Sequence, residues 1–259
     1  MTLGLDVILA AHGAGDDSAV NAAVRGLALE LERRMVGARV CAAFHKGEPS
    51  YSSALRTATR SNRVIVPLLT SDGWHYARLQ SAVAQADPGG LTSLVRPLGT
   101  HEAFVEAFVE SVVGQVGALG FDRTMTHIMV VGHGTDRHPN SGVATMNVAA
   151  VLLQSGFDQV RVAFLDEEPT VEAVARTIGR QEYLVVVPFL IGFGAHAIQD
   201  LPARITAATK RGPRADHIAF VDPIAALPSL ADLIERVISG VDDAQTRRAV
   251  EAKLEATRA

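Results

Sequence analysis

The chain has 259 residues, 48% hydrophobic and 20% charged, with 24 Lys+Arg against 28 Asp+Glu for a net charge of −4. This composition supports a sizeable core in one large or two small domains and excludes a disordered chain. The acidic balance excludes a protein that works by wrapping nucleic acid, and the single cysteine, Cys41, excludes a disulfide framework, a Cys-rich zinc site and a Cys-ligated iron–sulfur cluster.

In chain order, the N-terminus MTLGLDVILAAHGAGDD has no basic segment and is interrupted by Asp6, so no targeting segment is expected. LDVILAAHG (5–13) reads as an apolar strand ending in a His-Gly loop, and 18–36 as an amphipathic helix capped by Ser18. ARVCAAF (38–44) is a second strand that holds Cys41 as an inert core residue, a helix starts near Pro49, and RVIVPLL (63–69) is a third strand. Near-continuous apolar strands joined by helices imply a parallel sheet covered on both faces. Right-handed crossovers bring the carboxyl ends of its strands to one edge.

The programme then restarts. THIMVVGHG (126–134) matches 5–13, VRVAFLDEEPT (160–170) matches 39–50, and YLVVVPFLIGFGAH (183–196) matches 63–75. His12 and His133 lie 121 residues apart, Glu48 and Glu168 120, Pro67 and Pro188 121, and His75 and His196 121. A period of this size is a duplicated domain rather than a solenoid repeat. The expected fold class is α/β: two duplicated lobes, 1–122 and 123–259, each a parallel sheet flanked by helices, with a cleft between them. Residues after about 227 read as terminal helices, TRRAVEAKLEATRA being a charged packing helix. The run from Tyr183 to Gln199 lacks charge but is broken by Pro188, glycines and His196, and it falls short of the ~20 apolar residues of a membrane span. A soluble cytoplasmic protein is expected.

Each copy offers a His after its first strand, a Glu-Pro after its second and a His after its third. Ligands bind at the carboxyl ends of strands in open parallel sheets, so these residues can converge although distant in sequence. Two imidazoles and a carboxylate suit a borderline divalent transition metal and leave positions open for substrate or water. Taken singly, a His after a strand is more often a packing residue, and Glu before Pro is a favourable charge at a helix start with Pro at N1. Repetition at matched spacing favours the ligand reading for His12, Glu48, His75, His133, Glu168 and His196. His45, His101, His127 and His217 have no repeated partner and read as solvated or packing residues, while His138 can face the same cleft. Trp74, the only tryptophan, either flanks a flat ligand or packs its loop. GHGTDR and AHGAGDD fit no phosphate-binding pattern, and there is no GxSxG elbow.

Strand-HG, F-x-x-x-E-P-[ST] and P-x(7)-H together resemble the class II tetrapyrrole chelatases, and within them the sirohydrochlorin chelatases of the CbiX/SirB type. The resemblance spans about residues 5–225. It implies two pseudo-twofold-related α/β lobes with the tetrapyrrole in the cleft, and insertion of a divalent metal into sirohydrochlorin without ATP, a lyase reaction. The resemblance implies no permanently bound cofactor and a metal that is itself a substrate, with Fe2+ (giving siroheme) favoured over Co2+ (cobalamin synthesis). By the resemblance, His133, His196 and Glu168 are the catalytic, metal-holding set, with His12, His75 and Glu48 equivalent in the first lobe. The second lobe is favoured because it keeps Asp-Leu-Pro after His196, where Asp200 can orient the imidazole. Arg137 is a candidate for the substrate's carboxylates. A non-catalytic metal or tetrapyrrole carrier and a metal-independent binding module are the rival classes. The implied partners are sirohydrochlorin and the metal ion, with no nucleic acid or membrane, in a monomer or weak homodimer.

Overall fold

The computed structural model describes all residues except 1–3, 16–18, 61, 136, 137, 139, 141, 192–194, 210, 211 and 241–259, and the side chains of 195–199 also lie outside it. Ser18 and TRRAVEAKLEATRA therefore fall outside the described residues. The first half runs β1 (Leu5–Ala11), α1 (Ala19–Arg34), β2 (Ala38–Phe44), α2 (Tyr51–Thr57), β3 (Asn62–Pro67), α3 (Trp74–Ala86), β4 (Thr92–Leu94) and α4 (Glu102–Ala118). The second runs β5 (Thr126–Gly132), α5 (Val143–Gln154), β6 (Val160–Phe164), α6 (Val171–Ala175), β7 (Tyr183–Pro188), α7 (Ala195–Ala208), β8 (Ile218–Phe220) and a helix α8 over 230–240. Among these no helix is long and apolar enough to cross a membrane.

Two four-stranded sheets result, ordered β2-β1-β3-β4 and β6-β5-β7-β8, with parallel pairing throughout. The central strands β1 and β5 are covered on both faces, which explains their unbroken apolar runs. Asp6 is the exception on β1. It is buried, and its carboxylate accepts the Arg60 backbone N–H at 3.1 Å with the Arg60 guanidinium 3.7 Å away, so the buried charge is compensated.

One face of the first sheet packs under α2 and α3 through Ile8, Ala10, Leu55, Ile65 and Leu79. The second sheet repeats this under α6 and α7 with Met129, Val131, Val171, Leu201 and Ile205. The other faces of both sheets share one core, which includes Leu9, Phe104, Phe108, Val130, Val148, Phe189 and Ile234. Phe108 of α4 meets Phe189, just past β7, with ring centroids 5.4 Å apart. Arg34 at the end of α1 pairs with Asp232 and, at 2.6 Å, with Glu235, so α8 reaches back to the first lobe.

The two Glu-Pro segments enter their helices alike. Ser50 is the N-cap of α2, its hydroxyl accepting the Ser53 N–H, and Thr170 caps α6 by accepting the Ala173 N–H. Pro49 and Pro169 thus precede the cap instead of occupying the first helical position. A hydroxyl at the cap satisfies a free amide of the first turn, which proline there does not.

Replacing Phe108 by Ala removes the ring at the joint between the sheets. The expected cost is about 3–5 kcal/mol. In urea denaturation followed by circular dichroism it should appear as a lower midpoint of one shared transition, with separate transitions for the two halves contradicting the common core.

Candidate functional site

The site is built where β1, β2 and β3 end. Ala11 and Phe44 close their strands in register, and the ladder continues one step further: His45 N–H donates to Ala11 O at 3.0 Å and Lys46 N–H to His12 O at 2.7 Å. This lays the loop after β1 against the loop after β2. Gly13 has φ +74°, and a Cβ there would collide with the Lys46 carbonyl, so only glycine follows His12. The second lobe repeats the device. Asp166 N–H donates to His133 O at 3.0 Å, and Gly134, at φ +70°, would place a Cβ 2.7 Å from the Phe164 side chain. In both lobes the His-Gly pair fixes the backbone under an imidazole at the strand-end edge.

Past β3, Trp74 opens α3 and His75 is its second residue, so both stand on a helix start rather than in a loop. His75 meets His12 with ring centroids 4.4 Å apart, and His45 lies 5.6 Å from His12 and 5.7 Å from His75. Imidazoles sharing one metal at about 2.1 Å per bond hold their ring centres roughly 5 Å apart. The first lobe therefore gathers three rings at a metal-sharing separation. They stand edge to face, and among the described residues no three His, Cys, Asp or Glu side chains already converge to hold an ion.

The rings are prepared as lone-pair donors. His12 Nδ1 lies 2.8 Å from the Gly13 carbonyl, which can only accept, so Nδ1 is the donor and Nε2 is the ring nitrogen left to face a metal. Burial, with the neighbouring His12, His45, His133 and Lys46, pushes the pKa of His75 from the ordinary 6.5 down to about 4. Its buried Nδ1 has no hydrogen-bond partner among the described residues. His45 is lowered as well, by burial first and then by His12, Arg78 and Lys46. His133, of the other lobe, is among the lesser contributors to the lowering at His75. It is exposed, with Nδ1 3.2 Å from the Gly134 carbonyl and 3.4 Å from the Asp166 carboxylate.

The carboxylates lie differently. Glu48 and Glu168 are exposed, and each accepts the N–H of its helix cap, Ser50 and Thr170, at 3.0 Å. His196 is the second residue of α7, the place of His75 on α3, and its side chain lies outside the described residues, as does all of Arg137. Asp200 stands exposed on α7. His138 accepts the Asn140 N–H at 3.3 Å, and His101 lies 3.1 Å from the Arg96 carbonyl. His127 is buried 3.2 Å from Glu182, and His217 stacks on Tyr183 at 4.4 Å, both near the opposite ends of β5 and β7. His45 is the residue that repeat-matching missed, because Leu165 occupies its place in the second lobe. Its position one residue past β2 was the available signal.

A family model described as CbiX matches residues 6–114 and 127–241. A Halobacterium salinarum protein named "Probable sirohydrochlorin cobaltochelatase" is 29% identical over 184 residues, 62% of each chain. The chain thus spans 62% of that relative's length. Among solved structures, SirB from Bacillus subtilis with Fe3+ superposes with a TM-score of 0.74 at 14% identity, over 91% of this chain and 94% of that one. CbiX, described as the terminal enzyme for siroheme biosynthesis in denitrifying bacteria, gives 0.71 at 21% identity over 91% and 98%. Both share the two-lobed fold.

The depressed His75 gives a pH dependence of stability. The unfolded chain binds this proton at the ordinary 6.5 and the folded chain only near 4. The unfolded state therefore binds more protons between these values, and stability is full above pH 6.5 and falls as pH drops toward 4. Urea denaturation at about pH 7 and about pH 5 should show this loss, and His75→Gln should reduce it. An equal loss in the variant would remove His75 as its source.

Proposed function

Because this chain belongs to the CbiX family, we propose that it is a sirohydrochlorin chelatase, inserting a divalent metal ion into the tetrapyrrole without ATP. The observation that carries this reading is the group of His12, His45 and His75 at the strand-end edge of one lobe, with His133 brought to it from the other. The names of the Halobacterium and denitrifier relatives support it.

Insertion exchanges two pyrrole N–H protons for one M2+, so the protein must offer lone pairs to the metal and bases to the protons. A ring that protonates only near pH 4 is a poor base at neutral pH but keeps its lone pair free, which makes His75 a metal ligand with His12 and His45. Glu48 stands at the same edge. His133 takes the proton-accepting place, with Asp166 supplying a counter-charge to its imidazolium. His196 and Glu168 complete the second-lobe set, and Arg137 is the sequence's candidate partner for substrate carboxylates. Imidazole ligands accept Fe2+ and Co2+ alike. Fe2+, giving siroheme, is the first metal to test.

The assay mixes protein, metal-free sirohydrochlorin and Fe2+ or Co2+ and follows the metallation spectrum. His12→Ala and His75→Ala should each lower the rate on the order of a hundredfold, with His133→Ala costing less. The reverse order would move the metal to the second lobe. A wild-type rate no faster than the spontaneous reaction would sink the enzyme reading.

A further inference from the structure

A cavity of about 460 Å³ opens between α2 and α3, and His45 forms part of its wall. It is continuous with the imidazole group through that residue, yet it holds none of the other rings. Its lining contains no Asp or Glu. Arg78, Ser50, Ser52 and Gln85 bring donors to it, while the Tyr51 hydroxyl is already given to the Ala11 carbonyl at 2.8 Å and that of Ser81 to Ala77 at 3.0 Å. The Ser50 oxygen accepts from the Ser53 N–H, which leaves its own proton to donate.

Arg78 is the cation of this cavity. It is exposed, no carboxylate pairs with it among the described residues, and its guanidinium lies 4.9 Å over the Trp74 ring. Stacking fixes the plane of an arginine while leaving its N–H edge free for a bidentate acceptor. The pair is particular to the first lobe. At the 121-residue spacing, Trp74 and Arg78 correspond to Ala195 and Gln199. The lobe that departs from the repeat at these positions is the one that gathers the three rings. In a chain of net charge −4, a polyanionic substrate needs such a local cation.

We propose that the α2–α3 cavity is a carboxylate subsite, in which Arg78, backed by Trp74 and helped by Ser52 and Gln85, holds an acid arm of the tetrapyrrole while the macrocycle faces His45. The cavity lies within the roughly 300–1,000 Å³ range of small-molecule sites, and its polar lining suits an acid arm better than the apolar face of a macrocycle. This inference rests on the chelatase reading and deepens it.

Trp74, the single tryptophan, is the reporter. Metal-free sirohydrochlorin is titrated into the full-length chain, and Trp74 fluorescence and metal-insertion kinetics are recorded for wild type, Arg78→Gln and Arg78→Lys. Arg78→Gln should weaken sirohydrochlorin binding and raise KM at least about tenfold, the loss falling on KM rather than kcat, while binding of Co2+ alone is kept. Arg78→Lys, which retains the charge without the fork, should fall between. Wild-type affinity and KM in Arg78→Gln would overturn the subsite even if metal insertion proceeds. Arg78-dependent binding without any acceleration of insertion would uphold the subsite and fail the chelatase reading instead.

Discussion

The backbone ladder that outruns β1 and β2 is the constraint on which the site depends. Two bonds, from His45 N–H to Ala11 O and from Lys46 N–H to His12 O, hold loops that would otherwise be free to diverge. Because the first carries His12 and the second carries His45, the same bonds set two imidazoles side by side. The third arrives from β3, whose Pro67 pairs with Ala10 in the parallel register and leads into the helix that begins at Trp74. A parallel sheet is well suited to this, since its strands all deliver their carboxyl ends to one edge. Gly13 is the steric condition of the arrangement, because the Lys46 carbonyl occupies the space a side chain would need.

The electrostatics follow from the crowding. Burial first, and then the neighbouring imidazoles, lower the pKa of His75 and His45, so these two rings keep their lone pairs. The duplicate has diverged around the same backbone. Where the first lobe has His45, Lys46 and Gly47, the second has Leu165, Asp166 and Glu167. Glu167 accepts the Thr135 N–H at 2.9 Å, and Asp166 stands beside His133. One lobe thus offers imidazoles with cations near them, and the other an imidazole with carboxylates near it. A reaction that takes in a metal and an anionic macrocycle and gives out protons has use for both.

Much of this was legible in the residues, and the reasons are physical. Strands buried on both faces leave unbroken apolar runs, so β1, β3, β5 and β7 stood out, and the near-constant spacing of His, Glu, Pro and His revealed the duplication. The His-Gly pairs were legible because only glycine tolerates the packing behind them. What escaped were features set by three-dimensional neighbours. His45 had no partner in the repeat, and only the register of β2 against β1 puts its ring beside His12. Proline spacing could not tell whether Pro49 or Ser50 begins a helix, since that depends on which group meets the Ser53 N–H. Nor could it show that the carboxylates of Glu48 and Glu168 bond to the caps of α2 and α6.

The central claim is that the imidazoles at the edge of the first lobe receive the metal. The most direct measurement is a titration of the full-length chain with Co2+, followed by its visible ligand-field absorption, in wild type and in His75→Gln. The account predicts bands of an imidazole-bound ion in wild type and their loss, with at least a tenfold weaker affinity, in His75→Gln. Equal bands and equal affinity in the two proteins would contradict it.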